Sequence, residues 1–254
     1  MKLRPRQAEF RDKCVAALRK CKNNLGVAPT GSGKTVTLSA LVGEFDGAKS
    51  LILQHRYELV SQHRGTFQLV NPKITSGLYT AVEKWWEADA VFSMVWTLSR
   101  DNNLNNMPAM DLLVIDEAHH AAAVSYRKVI DKARDLNPDT MIMGVTATPN
   151  RGDCKPLKAV FDNCAVQISL GEMIADGYLL KPRTYVVDLG VNEALAGVRK
   201  VAGDFAMDEV DAILNSSPIN ARVVEEWRAL AGNRQTVVFC ATVAHAEAMT
   251  EAFT

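Results

Sequence analysis

An eight-residue segment, APTGSGKT at residues 28–35, constrains the fold of this chain more than any other feature. It follows a short apolar run at residues 25–27 and precedes an amphipathic stretch at residues 34–45, so we expect it to join a strand to a helix. Gly31 and Gly33 give the backbone the freedom to turn its N–H groups toward an anion at the start of that helix. A strand, a glycine-rich loop and a helix in this order are typical of an α/β protein that binds phosphate.

The residue types in this loop predict how it would hold a nucleotide and Mg²⁺. Lys34 is expected to reach the β- and γ-phosphate oxygens, and the Thr35 hydroxyl is expected to ligate Mg²⁺. Ala28 stands where such a loop usually begins with glycine, a change that leaves this chemistry intact. The other predicted nucleotide contacts are Pro29, Thr30, Gly31, Ser32 and Gly33. The alternative is a chance glycine turn before a helix.

A second constraint is the pair Asp116 and Glu117, which directly follows the apolar run at residues 112–115. Two adjacent carboxylates at the end of a buried strand repel each other unless a cation or a proton resolves the repulsion. Asp116 is therefore predicted to hold Mg²⁺, partly through water, and Glu117 to orient and deprotonate an attacking water. A solvated acidic turn is the alternative.

Two histidines follow this acidic pair. His119 lies three residues after Asp116, which brings it within reach of a γ-phosphate or of residues 146–148. We therefore expect His119 to have a functional role at the catalytic site, on the basis of its place in the motif. His120 is expected to be a packing or surface residue.

Along the chain, short apolar runs alternate with amphipathic stretches, which is typical of strands joined by helices over a parallel sheet. The predicted strands are residues 25–27, 51–53, 91–96, 112–115, 141–145, 184–189 and 235–240, and the predicted helices are 6–20, 34–45, 56–70 and 245–253. The candidate site residues fall at the carboxyl ends of strands, where open parallel sheets form their ligand crevice. Residues 192–204 are polar and contain glycine and alanine, which favours a linker.

Composition narrows the class of protein. The chain has 254 residues, is 48% hydrophobic and 23% charged, and contains no apolar run long enough to span a membrane. Its basic start lacks the apolar segment of a secretory signal, so we expect a cytoplasmic location. The net formal charge is zero, which argues against a strongly basic nucleic-acid-binding domain but leaves room for a local basic stripe.

The cysteines show no CxxC spacing and no paired histidine pattern. They are Cys14, Cys21, Cys154, Cys164 and Cys240. We expect reduced thiols that pack as small apolar residues, with neither a zinc site nor disulfides.

Three segments taken together resemble a known family. Residues 28–35, the DEAH sequence at residues 116–119 and TATP at residues 146–149 resemble motifs I, II and III of superfamily 2 DEAD/DEAH-box helicases. The finer resemblance is to the branch with type I and type III restriction motor subunits and repair and phage helicases. It implies a RecA-like parallel sheet with helices on both faces, ATP and Mg²⁺ as cofactors, and ATP hydrolysis coupled to movement on nucleic acid. The track is DNA or RNA, and we favour DNA.

The resemblance also assigns roles outside the two main motifs. LRPRQ at residues 3–7 resembles the leading motif of this branch, which implies that Gln7 reads adenine and that Arg4 contributes to the nucleotide site. Arg6 stands where an aromatic residue is common in the family. Thr146 and Thr148, in motif III, would couple the ATP site to the nucleic-acid site.

Motifs Ia and Ib are similar to residues 55–62 and 95–100, and in the family both line the nucleic-acid backbone. The resemblance therefore implies nucleic-acid contacts at Arg56, Thr97 and Arg100. The candidates for a basic stripe are Arg56, His63, Arg64, Arg100 and Arg151, although each is equally well interpreted as a solvated surface charge. Trp85 and Trp86 are either a base-stacking platform or, as we favour, packing residues.

The second half of the resemblance is incomplete. Residues 237–240 and 245–246 resemble motif IV, and no Q-x-x-G-R-x-x-R pattern follows before Thr254. We therefore expect a first RecA-like domain at residues 1–182 and an incomplete second one at residues 183–254. A partner subunit or further motor domain would complete the ATPase site, and hydrolysis by this chain alone would be weak. The alternatives are a restriction-type duplex DNA translocase and a non-catalytic nucleotide-binding module.

Overall fold

The computed structural model describes residues 1–149, 157–201 and 204–254. The chain divides into two compact units, Met1–Lys181 and Pro182–Thr254. In the described part of the chain, no helix is long and apolar enough to cross a membrane.

The first unit is built on a seven-stranded sheet in which every pair of neighbouring strands is parallel. The strands are β1 (Asn23–Val27), β2 (Ser50–Gln54), β3 (Ser76–Tyr79), β4 (Ala90–Met94), β5 (Leu112–Asp116), β6 (Met141–Thr146) and β7 (Asn163–Gln167). Across the sheet their order is β3-β4-β2-β5-β6-β1-β7. β1, β5 and β6, which precede the three main sequence motifs, are therefore neighbours.

Helices cover both faces of this sheet. They are α1 (Pro5–Leu18), α2 (Lys34–Gly43), α3 (Tyr57–Val70), α4 (Val95–Leu98), α5 (Asp101–Leu104), α6 (Val124–Leu136) and α7 (Leu170–Ala175). α1, α2, α3 and α7 pack on one face, and α4 and α6 pack on the other. The strand β5 serves both layers, because Leu112 and Val114 face the first and Leu113 and Ile115 face the second. This is the RecA-like arrangement that the sequence predicted.

The strand predictions within this unit are confirmed with small shifts, and two strands were missed. β3, with the sequence SGLY, is too short and too rich in small residues to stand out as an apolar run. β7, with the sequence NCAVQ, lies at the sheet edge and is mostly exposed, so it lacks the alternation of a half-buried strand. The strand predicted at residues 91–96 ends at Met94, where the chain turns into α4.

The second unit is mainly helical. It contains α8 (Asn192–Ala196), the antiparallel pair β8 (Lys200–Val201) and β9 (Asp204–Phe205), α9 (Met207–Leu214), α10 (Ser217–Leu230) and α11 (Val243–Phe253). α10 packs on α11, where the Trp227 and Phe253 rings meet edge to face at 5.0 Å. The strands predicted at residues 184–189 and 235–240 were wrong, since both segments lack regular structure. In the described residues neither segment has a strand to pair with, and an unpaired strand leaves its N–H and C=O groups to water.

Cys14 is fully buried in the core between α1 and the sheet, and this burial raises the pKa of its thiol well above the usual range. Cys154 and Arg151 lie outside the described residues.

Candidate functional site

The three motif loops leave the sheet side by side, at the carboxyl ends of β1, β5 and β6. Parallel strands end at one edge, so these loops share one crevice. A backbone hydrogen bond joins two of them directly, because the N–H of Ala28 donates to the carbonyl of Thr146 at 3.0 Å.

Ala28 occupies a position at which glycine is not required. The positive-φ residues of the described chain do not include it, so its backbone is open to any L-amino acid. Its methyl group is buried in the core cluster on the α1–α3 face of the sheet. The departure from the usual loop sequence therefore adds a small packing contact without altering the loop.

The loop glycines, by contrast, are needed for both conformation and space. Gly31 and Gly33 have φ values of 84° and 82°, in the left-handed region. A Cβ on Gly33 would lie 2.3 Å from Nε2 of Gln7, and one on Gly31 would lie 2.9 Å from Cδ2 of Leu179. The loop therefore lies between Gln7, near the start of the first unit, and Leu179, near its end.

The loop offers the donor set that an anion needs. α2 begins at Lys34, and the first N–H groups of a helix have no partners within the helix. The hydroxyl of Ser32 is buried, and within the described residues it has no hydrogen-bond partner. Backbone N–H groups, a hydroxyl and a lysine that converge at a helix start fit a phosphate group.

Asp116 ends β5 with little of its surface exposed. Its Oδ1 accepts a hydrogen bond from the N–H of Glu117 at 2.9 Å, and its Oδ2 accepts one from Nε2 of Gln54 at 3.2 Å. Neither Asp116 nor Glu117 pairs with a lysine or arginine among the described residues. Their charge contributes, after burial, to a raised pKa of the Tyr126 phenol. A site with this much uncompensated negative charge fits a divalent cation such as Mg²⁺.

Glu117 has a strained backbone, with φ 51° and ψ 50°. Among the described residues it alone combines a side chain with a positive φ. Such a conformation costs about 1–3 kcal/mol and persists where the surrounding structure enforces it, often at functional sites. The carboxylate of Glu117 lies beside His119.

His119 links the second motif to the third. Its Nδ1 lies 3.3 Å from Oε2 of Glu117 and 3.0 Å from Oγ1 of Thr146. The same Thr146 hydroxyl accepts a hydrogen bond from the N–H of Thr148 at 3.1 Å. The structure therefore brings together His119, Thr146 and Thr148 as the sequence predicted. His120 lies in a small ring cluster, with centroids 4.2 Å from His119 and 5.5 Å from His55.

A buried polar network that the sequence did not predict joins the phosphate loop to Asp116. Gln54 contacts Asp116 and places its Nε2 2.6 Å from Nδ1 of His63, and His63 forms a further hydrogen bond with the backbone of Thr35. Burial lowers the pKa of His63 to about 4, against a partial rise from Asp116. His63 is therefore neutral and internal, and its assignment to a surface basic stripe was wrong.

The leading motif lies against the phosphate loop. Oε1 of Gln7 accepts a hydrogen bond from the N–H of Arg4 at 3.0 Å, and Nε2 of Gln7 donates to the carbonyl of Ser32 at 3.2 Å. A primary amide has two lone pairs and two N–H donors. Gln7 therefore retains one acceptor and one donor, which are the pair that the edge of adenine requires.

The nucleic-acid candidates differ in exposure. Arg56 and Arg100 are exposed, whereas Thr97 is only 8% exposed and its carbonyl accepts a hydrogen bond from Nδ2 of Asn103. The neighbouring Trp96 is 64% exposed. This exposure was not predicted, because the sequence placed Trp96 in a strand, whereas it lies in the short helix α4. Arg64 is engaged with the carbonyl of Ser76.

The two adjacent tryptophans behave mainly as packing residues. The ring of Trp86 stacks on Tyr79 with centroids 4.3 Å apart and packs against the core. Trp85 is more exposed and contacts the strand β3 through its ring near Gly77.

A RecA-like sheet whose three motif loops meet at one edge defines the motor-domain class of superfamily 2 helicases. Within that class, the chain belongs to the family described as "Type III restriction enzyme, res subunit", which matches residues 1–151.

Curated relatives carry helicase names. The chain is 29% identical over 270 residues to the ATP-dependent helicase IRC3 of Saccharomyces cerevisiae, covering 99% of this chain and 39% of the relative. It is 27% identical to the mitochondrial ATP-dependent helicase irc3 of Schizosaccharomyces pombe, covering all of this chain and 43% of the relative. The chain thus spans about two fifths of these relatives. Because one of them is named as mitochondrial, the cytoplasmic location stays a prediction.

Solved structures support the fold. The DNA-bound Type ISP restriction-modification enzyme LlaBIII matches all of this chain and 21% of its own with a TM-score of 0.64 and 15% identity. Dbp5 of S. cerevisiae, bound to RNA and ADP BeF3, matches 65% of this chain and 46% of its own with a TM-score of 0.53 and 18% identity. At these identities the likeness establishes the RecA-like fold alone.

Proposed function

We propose that this chain is the ATP-binding motor part of a nucleic-acid helicase or translocase, and that it binds Mg-ATP at the edge formed by β1, β5 and β6. One observation carries the proposal. The phosphate loop, the acidic pair and the threonines of motif III meet at that edge and are joined through Glu117, His119 and Thr146. A phosphate turn of purely structural origin has no reason to lie beside an acidic pair and a strained glutamate.

Each residue of the loop has a task that follows from its position. Lys34 and the N–H groups of residues 30–35 would hold the β- and γ-phosphates, and Pro29 and Thr30 would shape the approach to them. Thr35 and Asp116 would hold Mg²⁺, which supplies charge neutralisation when bound. The network of His63 and Gln54 keeps these two ligands in register, because it contacts the backbone of Thr35 and the carboxylate of Asp116.

Glu117 would orient the attacking water and take its proton. Its left-handed backbone and its contact with His119 set the direction of the carboxylate. A change in the charge of that carboxylate would alter the hydrogen bond between His119 and Thr146. Because the Thr146 hydroxyl also accepts a hydrogen bond from Thr148, the change would extend to Thr148. This gives motif III a physical route for coupling the ATP site to the nucleic-acid surface.

Nucleic acid is the proposed track, and the restriction-enzyme description of the family favours DNA over RNA. Arg56, just after β2, and Arg100, between α4 and α5, are both exposed and would contact phosphates. Thr97, whose side chain is buried, would act through its backbone, and the exposed Trp96 beside it offers a face on which a base can stack.

Two other functions are open to the same site. The family description also fits duplex DNA translocation without strand separation, which a triplex-displacement assay distinguishes from unwinding. A non-catalytic nucleotide-binding module would bind ATP with the same residues and show no turnover under any nucleic-acid condition.

The test is ATP affinity in the presence of Mg²⁺, measured by isothermal titration calorimetry. Lys34→Ala should weaken binding about 10- to 150-fold, because it removes charge-assisted hydrogen bonds to phosphate. Glu117→Gln should retain the affinity, since the amide is isosteric with the carboxylate and lies beyond the bound phosphates. Lys20→Ala, at an exposed lysine outside the site, is the matched control. Wild-type affinity in a folded Lys34→Ala protein would refute the location of the site.

A further inference from the structure

The leading motif borders a pocket that is also lined by residues outside all of the sequence motifs. This pocket is a narrow cleft, open to solvent, with a cavity volume of about 20 Å³. Its lining includes Arg4, Arg6, Gln7, Lys34, Met173 and Tyr178. Lys34 places one end of the pocket at the phosphate loop, so a nucleotide bound there would extend its base toward Arg4 and Tyr178.

Arg6 does not provide the aromatic surface that a base would need. Its guanidinium forms ion pairs with Asp176 at 2.5 Å and with Glu9 at 3.2 Å. The first of these pairs ties α1 to the end of α7, two residues before Tyr178. Arg6 therefore acts as a structural tie that brings the Tyr178 segment beside the leading motif.

Tyr178 is held firmly in this position. After Gly177, which has a φ of 75°, the N–H of Tyr178 donates to the carbonyl of Met173 at 2.9 Å. The next residue, Leu179, packs its side chain against Gly31 of the phosphate loop. The ring of Tyr178 is half-buried, and the Arg4 guanidinium carbon lies 5.8 Å from its centroid.

We propose that the nucleotide base stacks on the Tyr178 ring, with the Arg4 guanidinium covering the opposite face of the base and Gln7 contacting its edge. The inference rests on the proposed ATP site and names the residues that recognise the base. Planar groups pack at roughly 3.5–4 Å, so a base between ring and guanidinium requires them roughly 7 Å or more apart. Arg4 is exposed and has only to move outward by roughly 1–2 Å from its present contact.

The roles of Tyr178 and Gln7 can be separated, because stacking and edge recognition respond differently to a change of base. An aromatic face stacks on any base, and such contacts are sequence-tolerant. The carboxamide of Gln7 matches the adenine edge and mismatches guanine. The phosphates are held by the loop and need no contact with the Tyr178 ring. Removal of the ring should therefore weaken ATP and GTP alike and leave a base-free triphosphate unaffected.

The experiment measures dissociation constants for Mg-ATP, Mg-GTP and inorganic tripolyphosphate with the whole chain. Tyr178→Ala should weaken ATP and GTP binding about 5- to 150-fold and leave tripolyphosphate binding unchanged. Tyr178→Phe should stay within roughly twofold of wild type, because the ring remains. Gln7→Ala should reduce the preference for ATP over GTP, and Tyr185→Ala, at an exposed tyrosine outside the pocket, is the control.

Unchanged ATP affinity in Tyr178→Ala, or equal losses in Tyr178→Phe and Tyr178→Ala, would overturn the inference while leaving the phosphate site in place. A parallel loss of tripolyphosphate binding would also overturn it, since it would show that Tyr178 only supports the loop. If wild type binds neither ATP nor tripolyphosphate, the proposed function itself is refuted, and the inference with it.

Discussion

The strand Leu112–Asp116 and the segment at residues 235–240 are both short, apolar and flanked by polar residues, yet they have opposite surroundings. Leu112 to Ile115 are fully buried in the middle of the sheet, whereas Phe239 is 94% exposed and has no regular structure. β5 has β2 on one side and β6 on the other, and helices on both faces. Residues 235–240 have no described strand beside them.

The difference shows that an apolar run is a conditional signal for a parallel strand. Such a strand is stable only when neighbours satisfy its backbone and layers cover both of its faces. The run at residues 235–240 has the composition of a buried strand, and its exposed side chains form the kind of surface that a neighbouring strand would cover. The same reasoning applies to the segment at residues 184–189.

A charge placed in each segment should separate them most strongly. Val114→Asp buries an unpaired carboxylate and should destabilise the first unit by roughly 4 kcal/mol or more. Phe239→Asp should change stability by less than about 0.5 kcal/mol, because the side chain already lies in water. Urea denaturation followed by circular dichroism gives both values.

Hydrogen exchange provides the control for this pair, with β5 amides expected to be protected and those of residues 237–239 to exchange rapidly. A large loss of stability in Phe239→Asp would contradict the comparison, since it would mean that this segment is buried in solution.

The buried polar network of the first unit should produce a smaller, pH-dependent effect. His63 has an ordinary pKa of 6.5 when unfolded and about 4 when folded, so the unfolded chain binds a proton first as the pH falls. The contribution of His63 to the free energy of unfolding is therefore fully present above pH 6.5. From this group alone, the free energy of unfolding should fall by about 2 kcal/mol between pH 7.5 and pH 5. Urea denaturation of the first unit at several pH values measures the slope.

The matched variant is His63→Gln, which retains a hydrogen-bonding side chain and removes the titration. Over the same pH range the free energy of unfolding of His63→Gln should fall by about 2 kcal/mol less than that of the wild type. Identical pH profiles for the wild type and His63→Gln would show that His63 is accessible to protons in the folded state.

Removal of a helix cap should have the smallest effect on stability. It tests whether the loss of a cap destabilises the two units equally. Thr242 caps α11 by accepting a hydrogen bond from the N–H of His245 at 3.0 Å, and Ser169 caps α7 by accepting one from Glu172 at 3.1 Å. Thr242→Ala and Ser169→Ala should each cost about 1 kcal/mol in the unit that carries the cap. Thr250→Ala, at an exposed threonine within α11, should cost less than either. A Thr242→Ala protein as stable as wild type would mean that α11 frays in solution.

Local chemistry made much of the candidate site predictable. The phosphate loop, Asp116, Glu117 and His119 are recognisable because each function needs given residue types at a given spacing beside a strand or helix. The contacts of His119 with Thr146 followed from the same logic. Gln54, His63 and Tyr178 escaped prediction, because each acts through a partner that is distant in sequence and carries no motif of its own.

The sequence by itself determined the class of this protein: a parallel α/β sheet with a phosphate loop after one strand and an acidic pair after another, all encoded in short runs. Only the tertiary structure decided which apolar runs became strands, because backbone pairing depends on neighbours that composition does not reveal. It also decided that Glu117 adopts a left-handed turn and that His63 is neutral, since burial and packing set both. Tyr178 likewise reaches Arg4 only because β7 and α7 return the chain to the side of the phosphate loop.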